Sequence, residues 1–269
     1  IATRLDRRDD PALLVDVGTN GEIVLAHEGK LIATSVAAGP AFEGARIVNG
    51  MRATQGAIEK VVIKDDVAIN VVGNAPASGI CGTGLIDAAA WLLRAGILDE
   101  TGRILPPDEV PDPIGDALCE RIVENDGQYD FILADADETA NGEPLRLYQR
   151  DIRELQLANG AIRAGVSILL RMADLDPSDL GSVLLAGAFG NFIRRSNARR
   201  IGMLPHIDTD RIRFVGNAAS FGAKRALLST VEKTYAAEVM HKIQHIDLSL
   251  NPDFQMEFGM AMMFPTEVS

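Results

Sequence analysis

Three short apolar segments, ALLVDV, EIVLAHEG and LIATSVA, lie between Ala12 and Val36, separated by Gly18-Thr19-Asn20-Gly21 and by Glu28-Gly29-Lys30. Each is rich in Val, Ile and Leu and too short for a helix. Asn-Gly and Glu-Gly-Lys between β-rich runs are hairpin turns. This pattern predicts an antiparallel three-stranded meander whose first strand ends on a carboxylate, Asp16.

The rest of the chain alternates strand and helix signals. Gly39 to Gly56 reads as loop with a short helix around Phe42 to Asn49. Ala57 to Val72 alternates around Lys64-Asp65-Asp66, which predicts a hairpin. Gly79-Ile80-Cys81-Gly82-Thr83-Gly84 opens a helix through Arg94 that Gly96 ends. Residues 101 to 128 hold several Pro, Asp and Gly and read as surface connection. FILA and PLRLYQ are short strands. The clearest helix follows: Asp151 and Glu154 resemble a capping box, and Ile152, Leu155, Ala158, Ile162, Val166 and Leu169 recur at spacings of three and four until near Asp174. SVLLA and RIRFV predict strands, Ala218 to Leu228 and Ala236 to Ile243 helices, and Ile246 to Leu250 a strand. Together these predict a mixed α/β domain, with Leu155–Met172 and Ala218–Leu228 packed on the sheet.

Composition narrows the function. The net charge is −12. Such a surface repels phosphate backbones and anionic membranes, so neither nucleic acid nor membrane is an expected partner. A single nucleotide is still allowed, because backbone N–H groups and a metal can hold phosphate. Aromatics are only 5%, so the core must be built from Ala, Val, Ile and Leu. Two cysteines, Cys81 and Cys119, make neither a disulfide framework nor a four-thiolate cluster site, and a reducing cytoplasm follows. IATRLDRRDD reads as the polar end of a helix, as if the N-terminus were a cut inside a longer protein.

Asp16-Val17-Gly18-Thr19-Asn20-Gly21 is the sharpest chemical motif. Gly18 and Gly21 let the backbone bend and approach a ligand, the turn amides and the Thr19 hydroxyl could line phosphate, and Asp16 could hold a Mg²⁺ water. The plain alternative is an Asn-Gly hairpin with a solvated aspartate. Leu184 to Asn191 is a strand opening into Gly187-Ala188-Phe189-Gly190, over which a flat ligand could lie; an ordinary strand-to-helix turn is the alternative. Gly79 to Gly84 is an anion site or a close-packed turn. Cys81 reads as a small buried residue. His241 and His245 could share a metal on a helix, but an ordinary surface face is favoured. Asp135, Asp137 and Glu138 read as a solvated turn.

The order of these signals resembles the acetate kinase, sugar kinase, heat-shock chaperone and actin superfamily, whose two ribonuclease-H-like lobes hold ATP between them. LLVDVGTNGEIVL, AAGPAFEGA, GICGTGLIDA, DIRELQLANGAIRAG, LLAGAFGNF and VGNAASFGA together resemble the C-terminal region of the ATP-dependent reductive activators of corrinoid proteins, from about Leu13 to Pro265. The resemblance implies ATP and Mg²⁺ as cofactors and a corrinoid protein as partner, with cob(II)alamin returned to cob(I)alamin. It implies a 2Fe–2S ferredoxin-like domain upstream. In that family the first phosphate hairpin also lies upstream, so residues 1–269 would be the second lobe of the two-lobed ATPase, inactive in isolation.

Carried over by position, Asp16 is the catalytic carboxylate and metal ligand, and Gly18, Thr19, Asn20 and Gly21 face phosphate. Gly187, Ala188, Phe189 and Gly190 face adenosine, with a weaker place for Gly82 and Thr83. Two other readings stand beside this one: a metabolite kinase lobe, for which no general base is identified, and a non-catalytic module shaped by nucleotide. The Met-rich end (Met256, Met260, Met262, Met263) is a candidate homodimer surface.

Overall fold

The three apolar runs form β1 (Ala12–Val17), β2 (Gly21–His27) and β3 (Lys30–Val36), an antiparallel meander. The computed structural model describes residues 1–111, 115–187 and 193–266. Further along the chain come β4 (Ala57–Ile63), β5 (Val67–Val71), β6 (Gly79–Ile80) and helix α1 (Gly82–Arg94). Helix α2 (Asp116–Glu120), β7 (Ile122–Asn125), β8 (Gln128–Ala134), β9 (Leu145–Leu147) and α3 (Gln149–Met172) follow. The last part holds β10 (Ser182–Ala186), α4 (Arg195–Arg200), β11 (Ile212–Gly216), α5 (Ala218–Leu228), α6 (Thr230–Lys242), β12 (Ile243–His245) and α7 (Phe254–Ala261).

The main sheet runs β11-β10-β1-β2-β3-β12. Strands β1, β10 and β11 are mutually parallel, so their C-terminal ends share one edge. Two three-stranded sheets, β5-β4-β6 and β7-β8-β9, form the part between the meander and α3.

Alternation along β1 divides its side chains between two layers. Leu13, Val15 and Val17 join the large core with Ile23, Leu25, Val183 and Leu185 and with Ile152, Leu155 and Ile162 of α3. Close packing of α3 on β2 needs two glycines. A Cβ on Gly165 would lie 2.6 Å from Ile23, and one on Gly21 would lie 3.0 Å from Val36 and 3.1 Å from Ile162. The opposite face buries Ala12, Ala26, Leu31 and Leu184 against Leu5, Tyr235 and Val239.

Several expectations are corrected. The N-terminal segment is a single 3-10 turn, Leu5–Arg7, docked on α6, where Tyr235 donates to Asp6 and Arg4 stacks 4.2 Å over the Tyr235 ring. The second layer is α6 rather than α5: Leu227 and Leu228 of α5 are 84% and 85% exposed, because among the described residues no element faces the apolar C-terminal end of α5. After Gly39 the chain forms only a 3-10 turn, Pro40–Glu43. The supposed connection 101–128 contains α2 and β7, which is defined by long-range pairing such as Ile122 with Phe131. Asp151 sits inside the first turn of α3, and its carboxylate accepts from the Tyr148 and Val48 amides at 3.0 and 2.9 Å. Residues 243–245 form the final strand, and 248–250 a 3-10 turn. The Met-rich end contains α7, which packs on α3; Phe264 is buried, while Met256, Met260 and Met263 stay exposed. Among the described residues no helix is long and apolar enough to cross a membrane.

Candidate functional site

The edge where β1, β10 and β11 end brings together residues distant in sequence. Ligands of open α/β sheets sit at such carboxyl ends. Asp16 is the penultimate residue of β1 and lies in register with Ala186, and Ala186 with Gly216. A Cβ on Gly187 (φ +109°) would come 2.3 Å from Val17 O and 3.2 Å from Asp16 Oδ1, and the Gly187 N–H donates to Gly216 O at 3.0 Å. Only glycine fits there, because both the positive φ and the closeness of β1 exclude a side chain.

The Asp16 side chain leaves the sheet on the α6 side. It helps line a cavity of about 200 Å³ with Leu14, Val24, Leu5, Ala218 and Ala219. Burial holds its carboxyl above the usual range, and among the described residues no donor or cation pairs with it. Glu22 stands directly across β2 and is also raised, by burial first and by the Asp16 charge second. Two raised carboxyls with no counter-charge among the described residues suit a hard cation, which prefers oxygen ligands and keeps its waters.

The turn itself is tight. Gly18 N–H donates to Asn20 O at 3.1 Å, and Thr19 and Asn20 project into solvent. Thr19 O accepts from Gly39 N–H at 2.9 Å, and its hydroxyl donates to Glu43 at 3.0 Å. Thus Asp16, Gly18, Thr19, Asn20 and Gly187 gather at one edge.

Other predicted residues are placed differently. Gly21 is buried towards α3. Gly82 and Thr83 are buried at the start of α1, where a Gly82 Cβ would meet Phe42 O at 2.0 Å and the Thr83 hydroxyl donates to Glu59 O at 2.9 Å. Ala188, Phe189 and Gly190 lie outside the described residues. Cys81 is buried beside Ile58 O. His241 is on α6 and His245 on β12, so the two do not share a helix. Asp135 is exposed, yet it pairs with Arg121 at 3.0 Å.

A family model for the C-terminal domain of RACo, the ASKHA domain, matches residues 10–269. The chain belongs to this family. The actin-like, ribonuclease-H-like architecture is therefore the expected one, and an ASKHA domain implies nucleotide binding. The chain is 36% identical over 266 residues to the corrinoid activation enzyme RamQ of Eubacterium limosum, covering 98% of this chain and 44% of RamQ. It is 26% identical over 276 residues to the [Co(II) methylated amine-specific corrinoid protein] reductase of Methanosarcina barkeri, covering 91% of this chain and 44% of that protein. A solved reductive activator for corrinoid, iron-sulfur protein superposes with a TM-score of 0.86 at 40% identity, over 98% of this chain and 41% of that one. The chain thus spans less than half the length of these relatives.

Within this ASKHA domain, Gly216, Ala218, Ala219 and Glu43 join the edge without having been assigned to it from sequence. The first three were legible as a second strand that ends on small residues, Gly216-Asn217-Ala218-Ala219, and the Asn217 side chain caps α5 by accepting from Ser220 N–H at 2.9 Å. Glu43 gave no local signal, because its partner Thr19 lies 24 residues away.

Proposed function

We propose that this chain is the ATP-binding lobe of a corrinoid-activating protein that drives reduction of cob(II)alamin to cob(I)alamin on a corrinoid methyltransferase protein. The observation that carries the reading is the common edge of Asp16, Gly187 and Gly216 in a chain of the RACo ASKHA family. The nucleotide phosphates would lie against the Asp16–Asn20 turn. Asp16 would hold Mg²⁺ through its waters, and the metal would neutralise phosphate charge. The adenosine side would be formed by Gly187 and the residues after it.

The cavity beside Asp16, about 200 Å³, is smaller than the roughly 300–1,000 Å³ of ordinary ligand pockets. Part of the clamp therefore comes from elsewhere in the reading: an upstream lobe with the first phosphate hairpin. An upstream 2Fe–2S domain would pass the single electron that each cob(II)alamin takes, drawn from a low-potential donor. ATP does not enter that electron balance. It biases the conformational equilibrium of the activator–corrinoid complex, which requires different affinities for its two states. The two unpaired cysteines suit a reducing cytoplasm.

The test is ATP turnover by the full-length protein with and without its corrinoid partner. An activator's rate rises when the corrinoid protein is added. A rate indifferent to it, with phosphate moved onto a small metabolite, would replace this reading with that of a kinase.

A further inference from the structure

Thr19 and Glu43 form a contact to which the proposed function assigns no role. The Thr19 hydroxyl donates to Glu43 Oε1 at 3.0 Å. The support beneath Glu43 is stiff: Phe42 O leaves Gly82 no room for a Cβ (2.0 Å), and Gly44 (φ +81°) backs onto the Met51 backbone at 2.6 Å. The Gly39 N–H also ties this segment to Thr19 O at 2.9 Å. The second carboxylate oxygen, Oε2, is buried and has no partner among the described residues.

A hydroxyl has one proton to give, and a carboxylate only accepts. With its proton committed to Glu43, Thr19 can offer only lone pairs to anything bound at the turn. A phosphate oxygen also only accepts, so it gains nothing from that oxygen. A divalent cation or a water on it does gain.

We infer that Glu43 is a positioning residue: by taking the Thr19 proton it turns Thr19 Oγ1 into an acceptor for the hydrated cation of a metal nucleotide, not a donor to phosphate. This inference rests on the nucleotide-binding reading of the preceding section.

Mn²⁺ titration by electron paramagnetic resonance, on full-length protein holding ADP, tests it without recourse to activity. Glu43→Ala and Thr19→Val should each weaken Mn²⁺ binding by roughly 10-fold, the size of one lost hydrogen-bonded ligand. For Glu43→Ala, ADP affinity by calorimetry in EDTA should stay within about twofold of wild type, since the metal-free nucleotide does not use the Glu43 contact. The double variant should be no weaker than Thr19→Val alone, because Glu43 acts through Thr19. Glu43→Gln keeps an acceptor and Thr19→Ser keeps the hydroxyl, so both should bind Mn²⁺ like wild type, with unchanged melting. Losses that multiply in the double variant, a Gln variant as weak as the Ala variant, or equal losses with and without metal would overturn the inference while leaving nucleotide binding intact. Wild-type protein that binds no ADP would overturn the nucleotide reading and this inference with it.

Discussion

Asp16 and Glu22 stand directly opposite each other on the antiparallel strands β1 and β2; burial raises the half-buried Asp16 carboxyl, and partial desolvation with the Asp16 charge raises that of the more exposed Glu22. Like charges facing across a ladder are unfavourable. The pair therefore costs folding stability, as the proposed cation site requires.

Replacing Asp16 by Asn keeps the shape and removes the charge. We expect the melting temperature to rise by about 2–4 °C, the shift that ~1 kcal/mol makes in a domain of this size, while Mg·ATP turnover by the full-length protein is lost. In the wild type, the folded state binds the Asp16 proton more tightly than the unfolded chain does. Its contribution is fully present below the ordinary value of 3.8 and is lost as pH rises through the raised folded value. Stability from urea melts should accordingly fall with rising pH across that window, and less steeply in Asp16→Asn. An equal slope in both proteins would contradict this assignment.

Gly187 holds β10 against β1. Gly187→Ala must meet both a φ of +109° and Val17 O at 2.3 Å. We expect a loss of about 1–3 kcal/mol, or more if β1 shifts, read from the urea midpoint. Nucleotide affinity of the full-length protein should fall with it, because the same shift moves Asp16. An unchanged midpoint would show that the edge tolerates a side chain.

The meander was legible because three apolar runs and two turns leave few alternatives, and α3 because its 3.6-residue period persists for six turns. Long-range effects were not. Strand β7 exists through its pairing with β8, and α6 rather than α5 covers the sheet because Tyr235 and Val239 meet Leu31 and Leu184. Of the site, the Asp16 turn and Gly187 were readable as a strand ending on small residues. Gly21 and Gly82 were read as room for a ligand, yet Ile162 and Phe42 fill that room. Sequence alone does not distinguish a glycine that admits a ligand from one that admits a neighbouring chain segment.

Thr83 separates those two uses. Its hydroxyl is spent on Glu59 O and lies beside Cys81 Sγ. Thr83→Val should cost about 1 kcal/mol of stability for the lost hydrogen bond and leave ATP affinity unchanged. A selective loss of ATP affinity with normal melting would instead return Thr83 to the phosphate site.

Asp151 ties the start of α3 to the segment after Glu43. Its two oxygens accept from Val48 N–H at 2.9 Å and Tyr148 N–H at 3.0 Å, and it is fully buried. Asp151→Ala leaves both donors unpaired in the interior. We expect a loss of about 2–4 kcal/mol, taken as one to two unsatisfied groups, measured by urea denaturation. Hydrogen exchange at Val48 should rise more than at β1. A uniform rise across the domain would contradict a local role.

The central claim is that this lobe serves ATP-driven corrinoid reduction. Its most direct test is the anaerobic absorption spectrum of a cob(II)alamin-carrying corrinoid protein mixed with full-length activator and a low-potential electron donor. The account predicts conversion to the cob(I)alamin spectrum when ATP is added, no conversion without ATP, and none with the Asp16→Asn variant. Conversion at the same rate without ATP, or with Asp16→Asn, would contradict it.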